Sequence, residues 1–212
     1  DDLSRGLGDV YKRQFPTLIN DMDFRYISVG DIDNDGDLDI VSGSNTHNSS
    51  ATELGHINLY ENDGASDPTW TKTTIDSYIP GYFVELADID SDGDLDIVSA
   101  SKNPYGTTTY IDWYENDGAA TWTPAFTAAD INISANVARD LHIADMDRDG
   151  DLDIVSASSG DNTIAWYEND GAANPSWTAA DISTTADGAR NVFVADIDLS
   201  LIHISEPTRQ IV

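Results

Sequence analysis

The chain has no cysteine, which excludes a disulfide framework and any thiolate metal site. Basic residues are scarce, ten Lys and Arg against 39 Asp and Glu, for a formal net charge of −29. Nucleic acid is excluded as a partner, because phosphate binding needs clustered Lys and Arg. Anionic membrane surfaces are disfavoured for the same reason. No apolar run approaches the roughly 18 residues of a membrane span, so no membrane insertion is expected of these residues. Helical periodicity of useful length is missing as well. Chains this acidic are disordered, salt-adapted or cation-binding. The regular apolar pattern, with five Trp and nine Tyr, argues against disorder.

The two ends are unlike everything between them. Ser4–Gln14 reads SRGLGDVYKRQ and Leu199–Arg209 reads LSLIHISEPTR. One DNA segment encodes the first, and its reverse complement encodes the second, residue for residue. That DNA looks like a transposon-end sequencing adapter. Residues 1–14 and 199–212 are therefore expected to be translated adapter and are excluded from fold reasoning. Residues 15–198 are expected to be a metagenomic fragment of a longer reading frame. His203 and the basic Arg5, Lys12 and Arg13 carry no functional reading.

What is abundant is repetition. DIDNDGDLDI (31–40), DIDSDGDLDI (88–97) and DMDRDGDLDI (145–154) recur, and a fourth copy starts at Asp196-Ile197-Asp198. The offsets are 57 (88 − 31), 57 (145 − 88) and 51 (196 − 145). LYENDG (59–64), WYENDG (113–118) and WYENDG (166–171) keep step, as do Trp70, Trp122 and Trp177, each followed by Thr. Each unit reads as four short strands. The first covers Tyr26–Gly30, Phe83–Ala87 or Leu141–Ala144, before the acidic loop. The second carries LDIVS after it. The third ends at Asn-Asp-Gly, a hairpin-turn signal. The fourth starts near the Trp-Thr pair and ends around Ile75, Ile131 or Ile182. Four antiparallel strands per repeat of roughly 50 residues predict an all-β fold, a β-propeller fragment of about three blades. The blades are placed at about 22–80, 81–138 and 139–190, with the next starting over 191–198. A stacked β-solenoid is the second choice. Open blade edges are aggregation-prone, so missing blades of the same chain are expected partners.

Five aspartates in nine positions oppose folding. Unit charges about 5 Å apart repel by about 3 kcal/mol at an effective dielectric near 20, so something must cancel them. In D-x-D-x-D-G-D-L-D the Asp residues of positions 1, 3 and 5 can converge, and glycine at 6 permits a sharp turn. Position 7 offers its carbonyl, with its own carboxylate expected to point to water, and position 9 can bind through both oxygens. All-oxygen coordination suits Ca²⁺, whereas zinc prefers His and Cys. An EF-hand would need Glu at position 12, where Ser42, Ser99 and Ser156 stand, and flanking helices. The glycine-paired repeat-toxin pattern is also missing. The alternative is a set of solvated Asp turns without metal.

These motifs resemble the FG-GAP/VCBS-type repeat family, the calcium-loop blades also found in integrin α-subunit propellers, over essentially all of Phe15–Asp198. The resemblance implies a β-propeller with Ca²⁺ between the first two strands of each blade. It implies ligand roles for Asp31, Asp33, Asp35, Asp37 (main chain) and Asp39; for Asp88, Asp90, Asp92, Asp94 (main chain) and Asp96; and for Asp145, Asp147, Asp149, Asp151 (main chain) and Asp153. The Phe-Gly pair of the family name is Val29-Gly30, Leu86-Ala87 and Ile143-Ala144 here, and Gly-Ala-Pro is replaced by Ser-Gly-Ser or Ser-Ala-Ser. Those departures favour the bacterial VCBS-like branch over integrins.

No nucleophile motif such as G-x-S-x-G occurs, and His47, His56 and His142 do not recur in phase. Glu61, Glu115 and Glu168 do recur, and they read as turn-edge residues. The Tyr and Trp residues read as inter-blade packing, with sugar stacking as the lesser option for exposed ones. The inserts Asn45–Gly55 and Lys102–Thr109 differ between blades and are where ligand contacts are expected. The chain is thus expected to be a non-enzymatic, calcium-stabilised binding or adhesion scaffold. It would belong to a secreted or surface-attached bacterial protein and take a protein or polysaccharide partner. The alternative is an accessory or catalytic propeller domain of a polysaccharide-active, lyase-like enzyme, which a unique His, Lys, Tyr or carboxylate group in the channel would favour. A purely architectural spacer is a third reading.

Overall fold

The computed structural model describes residues 24–44, 55–77, 81–102, 109–118, 128–132 and 135–195. The terminal segments, the bulk of both inserts, His47, Trp122, Asp196 and Asp198 lie outside these residues. Strands β1 (Phe24–Gly30), β2 (Asp39–Ser44), β3 (Ile57–Asn62) and β4 (Trp70–Asp76) form the first sheet. The second holds β5 (Gly81–Ala87), β6 (Asp96–Lys102), β7 (Thr109–Tyr114) and β8 (Ala128–Asn132). The third holds β9 (Ala138–Ala144), β10 (Asp153–Ser158), β11 (Thr163–Asn169) and β12 (Trp177–Ser183). Every pairing is antiparallel between sequence neighbours, so each sheet is a four-stranded meander. The all-β, propeller-like architecture expected from the period is present, and no helix occurs among the described residues.

The first strands start earlier than the apolar pattern indicates. Pairing continues past a register shift at Phe24/Tyr26 in β1, at Gly81/Phe83 in β5 and opposite Ala157/Ser158 in β9. A bulge breaks the alternation without ending the ladder. The Asn-Asp-Gly segment also differs from the expected tight hairpin. It opens a longer connection spanning 63–69 in the first sheet, closed by the Asp rather than by the glycine. Asp63 accepts from the amides of Ala65 and Thr69 and from the Thr69 hydroxyl. Asp170 repeats this with the amides of Ala172 and Ser176.

The sheets stack face to face, and their first strands lie side by side, β1 against β5 and β5 against β9. This explains why β6, the middle of the three L-D-I-V-S strands, is buried on both faces. Alternate side chains leave a strand in opposite directions, and here each direction meets a different neighbour. Ile97 and Val84 join Ile32, Val41, Ile57 and Leu59 in the core between the first two sheets. Val98, one residue on, joins Leu141, Ile154 and Tyr167 in the core between the second and third. Tyr114 and Tyr167 hold the same place in the two cores, so the expected inter-blade role of these aromatics is met there and at Trp113. The first sheet has an uncovered side: Ile27, Val29 and Leu38 are exposed, while their repeat equivalents Val84, Leu86 and Leu95 are covered by the first sheet itself.

Candidate metal centre

Each acidic loop joins the first strand of a sheet to the second, and its mouth is set by the last ladder pair: Gly30 with Asp39, Ala87 with Asp96, Ala144 with Asp153. Position 1 holds the turn. Asp31 accepts from the amides of Asp35 and Gly36, both at 3.0 Å. Asp88 accepts from Asp92 and Gly93, and Asp145 from Arg148 and Gly150. Gly36, Gly93 and Gly150 take φ of 96°, 101° and 102°, as expected of position 6. Position 4 is also left-handed, at Asn34 (58°), Ser91 (60°) and Arg148 (71°). For Ser and Arg this costs about 1–2 kcal/mol, and the varied residue types gave no sign of it.

The carboxylates of positions 1, 3 and 9 converge in the first and third loops. Asp31, Asp33 and Asp39, and likewise Asp145, Asp147 and Asp153, each place an oxygen within 4.8 Å of the others. In the second loop the converging set is Asp88, Asp90 and Asp92. Asp35, Asp149 and Asp96 stand outside these triads. Asp35 and Asp149 accept from the amides of Asp37 and Asp151 two residues on.

Position 9 does more than face the centre. Asp39, Asp96 and Asp153 are fully buried. One oxygen of each accepts from the position 2 amide of Ile32, Ile89 or Met146, at 3.0, 3.0 and 2.9 Å. The other accepts from the amide of Asn62, Asn116 or Asn169, at 2.9, 2.7 and 2.9 Å. This residue clamps the loop to the end of the third strand. A carboxylate oxygen has two lone pairs, so the clamp leaves room for a cation.

Position 7 corrects the sequence reading. The carboxylates of Asp37, Asp94 and Asp151 do not simply point to water. They lie over Gly64, Gly118 and Gly171, where a Cβ would stand only 2.8, 2.8 and 2.7 Å from the carboxylate carbon. These glycines take φ of 65°, 65° and 68°. The Asn-Asp-Gly glycine is therefore needed for close approach as well as for backbone conformation.

Electrostatics add two residues to the site. Burial, and then the neighbouring carboxylates, raise Glu61, which feels Asp33 and Asp39. Glu115 stands close enough to Asp90 to raise it. The glutamate of Y-E-N-D-G thus borders the acidic loop instead of only edging a turn, and its recurrence in phase with the loop was the available signal. Within the loops, burial raises Asp33, Asp39 and Asp90, with adjacent Asp charges adding to it. Burial pushes Asp96 up to about 7. Asp90 Oδ1 is buried without a hydrogen-bond donor.

A buried acceptor lacking a donor, beside crowded oxygens held against their preferred charge state, fits a hard cation. The donor set contains no His among the triads, which suits calcium or magnesium over zinc. Elsewhere, Glu85 on β5 and His142 on β9 face each other across the sheet interface, Oε1 to Nδ1 at 3.9 Å. They occupy equivalent places in successive repeats (142 − 85 = 57). Burial pushes Glu85 up to about 7. His142 also packs against Phe193, ring centres 4.9 Å apart.

No curated protein matches the chain. The pattern of the FG-GAP-like repeat matches three times, over residues 31–99, 88–156 and 145–199. With three meander sheets in step with those matches, an acidic loop at the head of each and first strands side by side, the chain belongs to the FG-GAP-like repeat family and is a β-propeller-like repeat module.

Proposed function

We propose that the chain is a calcium-stabilised, non-enzymatic binding or adhesion scaffold of a secreted or surface-attached bacterial protein. The observation that carries this reading is the convergence of three carboxylates in each of three equivalent loops. The residues that would hold the cations are Asp31, Asp33, Asp35 and Asp39 with the Asp37 carbonyl; Asp88, Asp90, Asp92 and Asp96 with the Asp94 carbonyl; and Asp145, Asp147, Asp149 and Asp153 with the Asp151 carbonyl. Bound calcium supplies charge neutralisation, not reaction chemistry. Extracellular calcium modules bind at roughly 10⁻⁴–10⁻³ M, which millimolar calcium outside cells fills and cytosolic calcium does not. The rigid repeat then presents variable loops to a protein or polysaccharide partner, and missing blades of the same chain would cover Ile27, Val29 and Leu38.

Calorimetric titration with CaCl₂, repeated with MgCl₂ and with Asp90→Asn, tests the cation reading. Three sites are expected for the parent chain and two at full affinity for the variant. Absence of heat at millimolar calcium refutes it. A polysaccharide-active domain is the second reading, favoured by the unrepeated Glu85–His142 pair on the adjoining first strands β5 and β9. Degradation of polysaccharides by the chain, lost in His142→Ala, would establish it over the first.

A further inference from the structure

The acidic loops are joined to one another through the asparagine of Y-E-N-D-G. Asn116 is buried. Its side-chain amide donates to Leu95 O, in its own loop, at 3.1 Å. It also donates to Ile32 O, in the loop of the preceding sheet, at 2.8 Å across 84 residues. Asn169 does the same one repeat on, to Leu152 O at 3.1 Å and to Ile89 O at 3.0 Å. Both amide hydrogens of each side chain are thus used, one per loop. The Oδ1 atoms are used as well, accepting from Gly118 and Gly171. The main-chain amides of the same residues bond Asp96 and Asp153.

Asn62 is the built-in contrast. It has the same Oδ1 bond, to Gly64, and the same main-chain bond, to Asp39. Its side-chain amide donates to Leu38 O of its own loop, at 3.2 Å, and among the described residues to nothing in a preceding sheet. The carbonyl that Asn116 grips belongs to position 2, and the amide of that residue is held by Asp39 at position 9. A single asparagine therefore fixes the mouth of one loop and the base of the next. A direct contact reinforces the first junction: the Asn34 side chain donates to Asp94.

We propose that Asn116 and Asn169 are positioning residues that lock each acidic loop to the following sheet, so that adjacent loops order, and take up cations, as linked pairs. The cation half of this statement rests on the calcium reading above; the ordering half does not. Linked sites must influence one another reciprocally.

Asn→Asp at 62, 116 and 169 keeps the Oδ1 acceptor and removes the donors. Amide exchange is read by NMR on the full chain in EDTA. Asn116→Asp should speed exchange in both 31–39 and 88–96, by roughly fivefold or more, the factor of one ordinary hydrogen bond. Asn169→Asp should do so in 88–96 and 145–153, and Asn62→Asp in 31–39 alone. With CaCl₂ added, Asn116→Asp should weaken two sites and Asn62→Asp one. Effects of Asn116→Asp and Asn169→Asp confined to their own loops overturn the proposal. Unfolding of the 116 and 169 variants with Asn62→Asp still folded supports it, and unfolding of all three alike overturns it. A parent chain without calcium heat defeats the calcium reading, while the exchange experiment still decides the coupling.

Discussion

Gly118→Ala should be far more damaging than a left-handed glycine alone accounts for. Placing a side chain at φ 65° costs about 1–2 kcal/mol. The new Cβ would also stand 2.8 Å from Asp94 Cγ, well inside contact distance. Asp94 must then rotate away, at about 0.5–1.5 kcal/mol if it leaves its rotamer. It also releases Asn34 across the sheet junction, another bond of about 1 kcal/mol. The expected total is about 2.5–4.5 kcal/mol. Gly188→Ala is the control, because Gly188 takes φ 63° with nothing within 4 Å of its Cβ direction. It should lose only the backbone contribution. Urea unfolding followed by tryptophan fluorescence measures both. Asp94→Ala should lessen the penalty of Gly118→Ala, giving a coupling of about 1 kcal/mol or more in a double-mutant cycle. Equal costs for Gly118→Ala and Gly188→Ala, or no coupling to Asp94, would refute the close-approach argument.

Three other outcomes follow from the same geometry. Asp153→Ala leaves the buried amide of Asn169 and the half-buried amide of Met146 without their acceptor, so denaturation should show a loss of about 2–4 kcal/mol, more than for Asp149→Ala at an exposed position. In EDTA, Asp96 is held near 7 when folded and near 4 when unfolded. The folded chain thus binds the proton more tightly, and this stabilisation is complete below about pH 4 and lost as pH rises through 7. Thermal melts in EDTA should fall from pH 5 to 7.5, and excess calcium should lessen the trend by competing with the proton at Asp96, leaving the part that Glu85 contributes. At tenfold excess over its Kd, each calcium site adds about 1.4 kcal/mol, so chelation at neutral pH should remove about 4 kcal/mol and lower the melting temperature by many degrees; an unchanged melt would count against metal binding.

The period of 57 residues was legible at once, and with it the meander sheets, because every repeat had to solve the same burial problem. The loop glycines were legible too, since only position 6 paired a glycine with a required turn. What stayed hidden depends on which neighbour a side chain meets. Leu38, Leu95 and Leu152 are the same letter in the same motif, yet Leu38 is 60% exposed while Leu95 and Leu152 pack against cores. Alternation marks two faces but does not say that both are interior. Asp39 read as a ligand, and its clamp onto Asn62 required knowing where the third strand ends. Asn116 read as a turn residue because its bond to Ile32 spans sheets and has no local signature. Glu61 read as a turn edge because strand register, not spacing, brings it beside Asp33.

Asn116 illustrates how portable the junction is. It reaches Ile32 in the preceding sheet, and Asn169 reaches Ile89 in the same way one repeat on. All parts of that joint lie within one repeat and the next. A gene segment one period long, copied in tandem or deleted by unequal crossing-over, would carry both halves of a working joint with it. Copy number in such a lineage can therefore drift without any new surface having to be invented.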